Sequence, residues 1–143
     1  MDKKVAEKVE KFIDEHELNA YRSSEQWILP YKDKDGNRLY LYIRLSAEQN
    51  VGLKMGFKAT IYDSNLKFVE KLKTILLDLN TRLKMGALAL EKDSEVVEFS
   101  LDYPLLGDAD IDWNQYNKYV IFCMNVYLDL INRKLVRESV LDE

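Results

Sequence analysis

Three aspartates at alternate positions, Asp108-x-Asp110-x-Asp112, have the spacing in this chain that comes nearest to a ligand set. A calcium loop of the EF-hand type would place glycine at its sixth position and a bidentate glutamate at its twelfth, because the chain must turn sharply and then close the coordination sphere. Those positions hold Trp113 and Tyr119, so no metal is expected, and helix capping with solvation accounts for the carboxylates. The single cysteine, Cys123, falls on the most apolar line of a helix, where a thiol packs as a small hydrophobe. A nucleophile would need a base, and the one histidine, His16, is distant in sequence. His16 closes the first helix, where a positive charge meets the negative end of the helix dipole. Asn80 sits in the last turn of another helix, where an amide can bond backbone groups that the helix leaves open. No glycine-rich phosphate loop, serine elbow or histidine pair occurs in the sequence. The expectation is a non-enzymatic chain without a cofactor.

The elements that position these residues read clearly along most of the chain. Val5, Val9, Phe12 and Ile13 give residues 2–16 one apolar face, with Asp2 available as the N-cap. After a polar link from Asn19 to Gln26, Trp27 to Tyr31 forms a strand that Pro30 assigns to an edge or a strand end. Asp35-Gly36 turns the chain into RLYLYIRL, whose Leu39, Leu41, Ile43 and Leu45 alternate with Tyr40, Tyr42 and Arg44. A turn at Ala47–Asn50 leads to a third strand, Val51–Ile61, with Gly52 and Gly56 on its outer face marking a bend, a bulge or a close backbone approach. Asp63 or Ser64 caps the helix LKFVEKLKTILLDLNTRL, on which Leu77 points away from the core stripe. Gly86 then admits a hairpin turning at Lys92-Asp93-Ser94-Glu95. Asp112-x-x-Gln115 has capping-box spacing and opens a last helix from about Trp113 to Val136. Its apolar arc spans about 220°, roughly twice what a helix buried on one side requires, so it is either deep in the core or shared with a second subunit.

The chain has 143 residues, the length of one domain, and 1–143 is read as a single unit. With 21 basic against 25 acidic residues, it lacks the concentrated positive charge that binds nucleic acid or anionic membrane. One cysteine excludes an intrachain disulfide and fits the reducing cytoplasm. The N-terminus carries no signal-peptide core, and no run approaches the ~18 apolar residues of a membrane span.

The order α-β-β-β-α-β-β-α resembles the YbjN-like family, which shares its fold with the type III secretion chaperones. Leu79-Asn80, Leu83, Gly86, Leu90 and the Val96-Val97 strand carry the resemblance. The family often has a glycine in the last hairpin turn, where this chain has Asp93-Ser94. The resemblance implies a two-layer α+β domain, here with an antiparallel five-stranded sheet packed against helices. It also implies a regulator-like or chaperone-like role, the related chaperones being small acidic cytoplasmic homodimers that bind unfolded segments of partner proteins.

The expected function is therefore binding of a partner polypeptide by a homodimer, through apolar helix and sheet surfaces. Leu77, Tyr119, Phe122, Val126 and Leu128 are the interface candidates on helices, and Tyr40 and Tyr42 those on the sheet, where amphipathic rings can form a contact surface. The alternative is a small-molecule-sensing or enzymatic domain with a cavity between sheet and helices. A third reading is a structural subunit of a larger assembly.

Overall fold

Alternating apolar residues build the sheet and the 3.6-residue stripes build the helices that cover it. The computed structural model describes residues 3–46, 52–91, 95–105 and 107–141. In chain order these form α1 (Lys3–Glu15), β1 (Tyr21–Ser23), β2 (Gln26–Lys32), β3 (Arg38–Leu45), β4 (Gly52–Ile61), α2 (Leu66–Arg82), β5 (Ala87–Leu90), β6 (Val96–Pro104), α3 (Trp113–Asn132) and β7 (Val136–Val140). The expected N-cap Asp2, the turn Ala47–Asn50, Val51 and the hairpin turn at Lys92, Asp93 and Ser94 lie outside the described residues. Among the described residues no helix is long and apolar enough to cross a membrane.

The class is α+β, with an antiparallel sheet, but the sheet has seven strands and not five. Its order is β1-β2-β3-β4-β6-β5, with β7 paired to β4. One of the two additional strands, β1, lies in the stretch read as a polar link. It is only three residues long, and Ser24 at φ 56 turns it back so that Arg22 pairs with Trp27. A strand so short and polar has no alternation to detect.

The other, β7, lies where the last helix was expected to continue. That helix stops at Asn132. Lys134 adopts φ 58, its N–H donates to the Ile131 carbonyl, and the Leu135 N–H donates to the Leu130 carbonyl. These two bonds form a Schellman motif with lysine where glycine is usual. Glu17 ends α1 in the same way, at φ 50. Without a glycine to announce it, the stop is invisible in the sequence.

The released strand fills a gap. β3 pairs with β4 only as far as Leu41↔Phe57, and β7 takes over beside β4 at Lys58↔Val140. Ser139 ties the junction together. Its hydroxyl accepts from the Tyr40 N–H at 2.9 Å and donates to the Lys58 carbonyl at 3.3 Å, while its N–H donates to the Tyr127 hydroxyl of α3 at 2.8 Å.

All three helices of the described residues share one core with the odd-numbered side chains of β2, β3, β4 and β6. Caps position the helices. Asn65, and neither Asp63 nor Ser64, caps α2 by accepting from the Phe68 N–H, while Asp63 holds Asn65 in place. Asp112 caps α3 by accepting from the Gln115 N–H at 2.9 Å, and the Tyr103 hydroxyl, in place of the Gln115 side chain, receives the Asp112 N–H. Asp112→Ala is expected to cost about 1 kcal/mol, read as a lowered urea midpoint with an unchanged slope.

Candidate protein-docking groove

Asn80 is the residue from which an apolar groove of the fold is built. The Leu79 side chain anchors the last turn of α2 in the core, which turns Asn80 toward the free edge of β5. Its amide donates to the Leu88 carbonyl at 2.9 Å and accepts from the Leu88 N–H at 2.7 Å. The side chain thus imitates a neighbouring strand at one position of an exposed edge. Leu83 ends the helix, and Gly86 at φ 79 brings the backbone so close to β6 that a Cβ there would stand 2.8 Å from the Phe99 ring and from the Ser100 carbonyl. Asn80 thus latches α2 to β5, and Gly86 lets the chain between them pass close against β6.

Between helix and edge strand lies a groove of about 290 Å³, lined by Lys73, Leu76, Leu77, Asn80, Leu88 and Leu90. Leu77 stands at its rim, 69% exposed. Burying such a side chain against a partner stabilises the complex by roughly 2 kcal/mol. Of the lining residues, the sequence marks Leu77 as off the core stripe and Asn80 as a backbone-bonding amide, but it does not bring them together with Lys73, Leu76, Leu88 and Leu90. Their signal was present in the alternation of Leu88 and Leu90 and in the polar Asn80, and it could be read only once β5 was known to be an edge.

The remaining interface candidates are scattered. Tyr119 and Val126 face inward, each 9% exposed, and the Tyr119 hydroxyl donates to the Asp102 carbonyl, so their side chains offer almost no surface. Phe122 is half-buried, its ring 5.8 Å from that of Phe99. Leu128 is half-buried beside Ile121, which is 60% exposed and was not among the candidates. The wide apolar arc of α3 is thus consumed by its own core on one side and leaves a strip at Ile121 and Leu128 on the other.

On the sheet, Tyr40 is half-buried and Tyr42 is only 2% exposed. Tyr42 lies opposite Gly56, donates to Glu98 at 2.9 Å and is covered by the Arg44 guanidinium at 4.3 Å from the ring centre. Arg44 also pairs with Glu98 and donates to Gln26. Burial and the neighbouring carboxylate push the Tyr42 phenol well above its usual range. The ring is a covered part of the sheet and not an open contact surface, because the missing side chain at Gly56 lets it lie down.

Nor do the chemistry-bearing residues converge. Asp112 is spent on its cap, while the Lys8 ammonium donates to the Gly107 and Ala109 carbonyls and Lys11 reaches Asp110 at 4.0 Å. His16 lies between the Phe12 and Trp113 rings, stacked on the latter at 4.1 Å. Burial pushes the Cys123 thiol up to about 12. Among the described residues no group of three or more His, Cys, Asp or Glu side chains could hold a metal ion.

The chain is similar in structure to Escherichia coli YbjN, a protein provisionally described as a transcription regulator. The TM-score is 0.65 over 92% of this chain and 95% of that one, at 14% identity. The likeness shows a YbjN-like fold. No family model matches the sequence, and no curated protein matches it significantly.

Proposed function

We propose, from a YbjN-like fold with an open apolar groove beside its edge strand, that the chain is a non-enzymatic protein-interaction domain with a regulator-like or chaperone-like role. The observation that carries the reading is the groove itself, with four leucines around one lysine and an amide already committed to Leu88. Such a lining binds by burial of a partner's apolar side chains. The provisional description of YbjN as a regulator is compatible with it. The non-enzymatic part is supported by the use made of buried ionisable groups. Tyr31 and Tyr116 hydrogen-bond each other, Tyr103 bonds the Asp112 backbone, Tyr127 holds Ser139, and Cys123 is a packed thiol.

A homodimer in the cytoplasm is part of the same reading, and the α3 strip at Ile121 and Leu128 is its best-supported surface. Light scattering during gel filtration at tens of micromolar is expected to return a dimer, and Ile121→Glu to return a monomer with an unchanged circular dichroism spectrum. A wild-type monomer overturns the dimer, and a dimeric Ile121→Glu overturns this surface. Val126→Glu would not serve, since burying a carboxylate there would unfold the chain. The interaction reading as a whole is tested by crosslinking in the native cell, where recovery of no recurrent protein partner would overturn it.

A further inference from the structure

Leu66 and Leu77 are the two most exposed large apolar side chains of the described residues, at 74% and 69%. Both belong to α2. At about 100° per residue, Leu66, Glu70, Lys73 and Leu77 fall within roughly 60° of one another and form one line along the helix. Lys67, Lys71, Asp78 and Arg82 lie about 90° or more from the middle of that line and take no part in it. The core accounts for none of the four, since all are exposed and the stripe that packs inward is Val69, Leu72, Leu76 and Leu79.

The line has an order that no core position requires. Leu66 stands five residues before Lys71 and Leu77 five after Leu72, while Glu70 and Lys73 stand one before and one after the same pair. Reversing the helix about that midpoint therefore exchanges leucine with leucine and carboxylate with ammonium. A second α2 laid antiparallel on the first would meet Leu66 with Leu77 at both ends and Glu70 with Lys73 twice at the centre. A parallel two-fold pairing would set Glu70 on Glu70 and Lys73 on Lys73, which is repulsive. Lys73 pairs with Glu70 of its own helix at 3.6 Å, and both stay open to solvent, so sharing them across the axis costs little.

We infer that the groove between α2 and β5 is covered by a second copy of this chain, α2 against α2 in antiparallel register, with Leu66 of each copy seated beside Leu77 and Leu88 of the other. The groove opens along the part of α2 from Lys73 to Asn80, which this register lays against the start of the second helix. The inference rests on the reading of the groove as a docking surface and names what fills it when no other partner is bound. A partner's apolar side chain would enter the same groove, so self-pairing closes the site at high concentration and dilution opens it. The α3 strip at Ile121 and Leu128 is a separate surface, and the pairing adds to the dimer proposed there without replacing it.

The test is sedimentation equilibrium of the intact protein between about 10 µM and about 1 mM, because a contact of about four helix side chains per copy falls far short of the roughly 20–30 residues of a standard interface. With a dissociation constant of about 300 µM, the weight-average mass is expected to rise by about half or more over this range. Leu77→Asp, at an exposed position that leaves the circular dichroism spectrum unchanged, is expected to weaken association by at least about tenfold. Lys73→Glu, which sets like charges across the axis, is expected to weaken it by about tenfold. Adding Glu70→Lys to Lys73→Glu restores opposite charges in the same register, and association is expected to return to within about threefold of wild type. A mass that does not rise, association unchanged in Leu77→Asp or in Lys73→Glu, or a charge-reversed double variant as weak as Lys73→Glu would each overturn the pairing. A partner recovered by crosslinking in the native cell, from a protein that does not self-associate, removes this inference and leaves the interaction reading. Self-association with the expected variant pattern and no partner recovered does the reverse.

Discussion

Gly56→Ala is expected to destabilise the fold by about 3 kcal/mol, the upper part of the usual range for overpacking a core. A Cβ at Gly56 would overlap the Phe99 carbonyl oxygen and stand 2.8 Å from the Tyr42 hydroxyl. Neither obstacle yields easily. The carbonyl belongs to the β4–β6 ladder, in which Phe57 faces Phe99. The phenol is held by Glu98 beneath the Arg44 guanidinium. For a chain of this length the melting temperature should fall by roughly 10 °C. Combining Gly56→Ala with Tyr42→Ala separates the two causes, because removing the ring relieves only its own clash. A melting temperature within about 2 °C of wild type, below the shift expected for 1 kcal/mol, would show that β4 can move away and that the approach at Gly56 is not obligatory.

That glycine shows how far the sequence could be read. Its place on the outer face of an alternating strand pointed to a bend, a bulge or a close approach, and the structure selects the third. The three helices, β2, β3, β4 and the β5–β6 pair were legible for the same physical reason: each must bury one face, so its period is written in apolar residues. β1 and β7 were not legible. Their pairing is decided by Ser24 and by Lys134 in left-handed conformations, which carry no residue-type signal comparable to glycine. The site divides similarly. Leu77 was visible as an apolar residue off the stripe, and Asn80 as an amide near a helix end. The groove between them depends on which strand ends the sheet, and that is a long-range property. How Tyr42 is covered was not legible, because its neighbours across the strands, Gly56 and Glu98, cannot be assigned to it from a single strand.

Two of the apolar surfaces that the described residues expose on helices differ in shape. Ile121 and Leu128 form a strip on α3. Leu77 stands at the rim of a concave groove whose lining holds one lysine, Lys73. A self-complementary strip suits a two-fold contact, in which the same residues meet on both copies. The groove lies on a different helix, α2, so dimer formation through α3 and partner binding need not compete for one face.

Whether that groove stays available depends on the edge strand beside it, and Asn80 governs the edge. Asn80→Ala is expected to lower stability by about 2 kcal/mol, because two hydrogen bonds to a half-buried backbone are lost and water replaces them incompletely. Stability is only part of the effect. Backbone groups alternate in direction along a strand, so Leu88 and Leu90 present theirs outward while Ala87 and Ala89 bond to β6. With Asn80 in place, Leu88 is closed on both groups, leaving too short an open edge for another strand to add. Without it, Leu88 and Leu90 form a consecutive outward ladder flanked by apolar side chains, a template for pairing between copies. Asn80→Ala should therefore show concentration-dependent association through β5, visible by light scattering, at denaturant concentrations too low to unfold it. Asn80→Asp separates the donor from the acceptor. The carboxylate can still accept from the Leu88 N–H but faces the Leu88 carbonyl without a proton to share, so a loss at least as large as that of the alanine variant is expected at neutral pH. Hydrogen exchange at Leu88 reports directly on the latch, and protection equal to wild type in Asn80→Ala would mean that the amide closes nothing. Faster exchange without association would retain the latch but remove its role in guarding the edge.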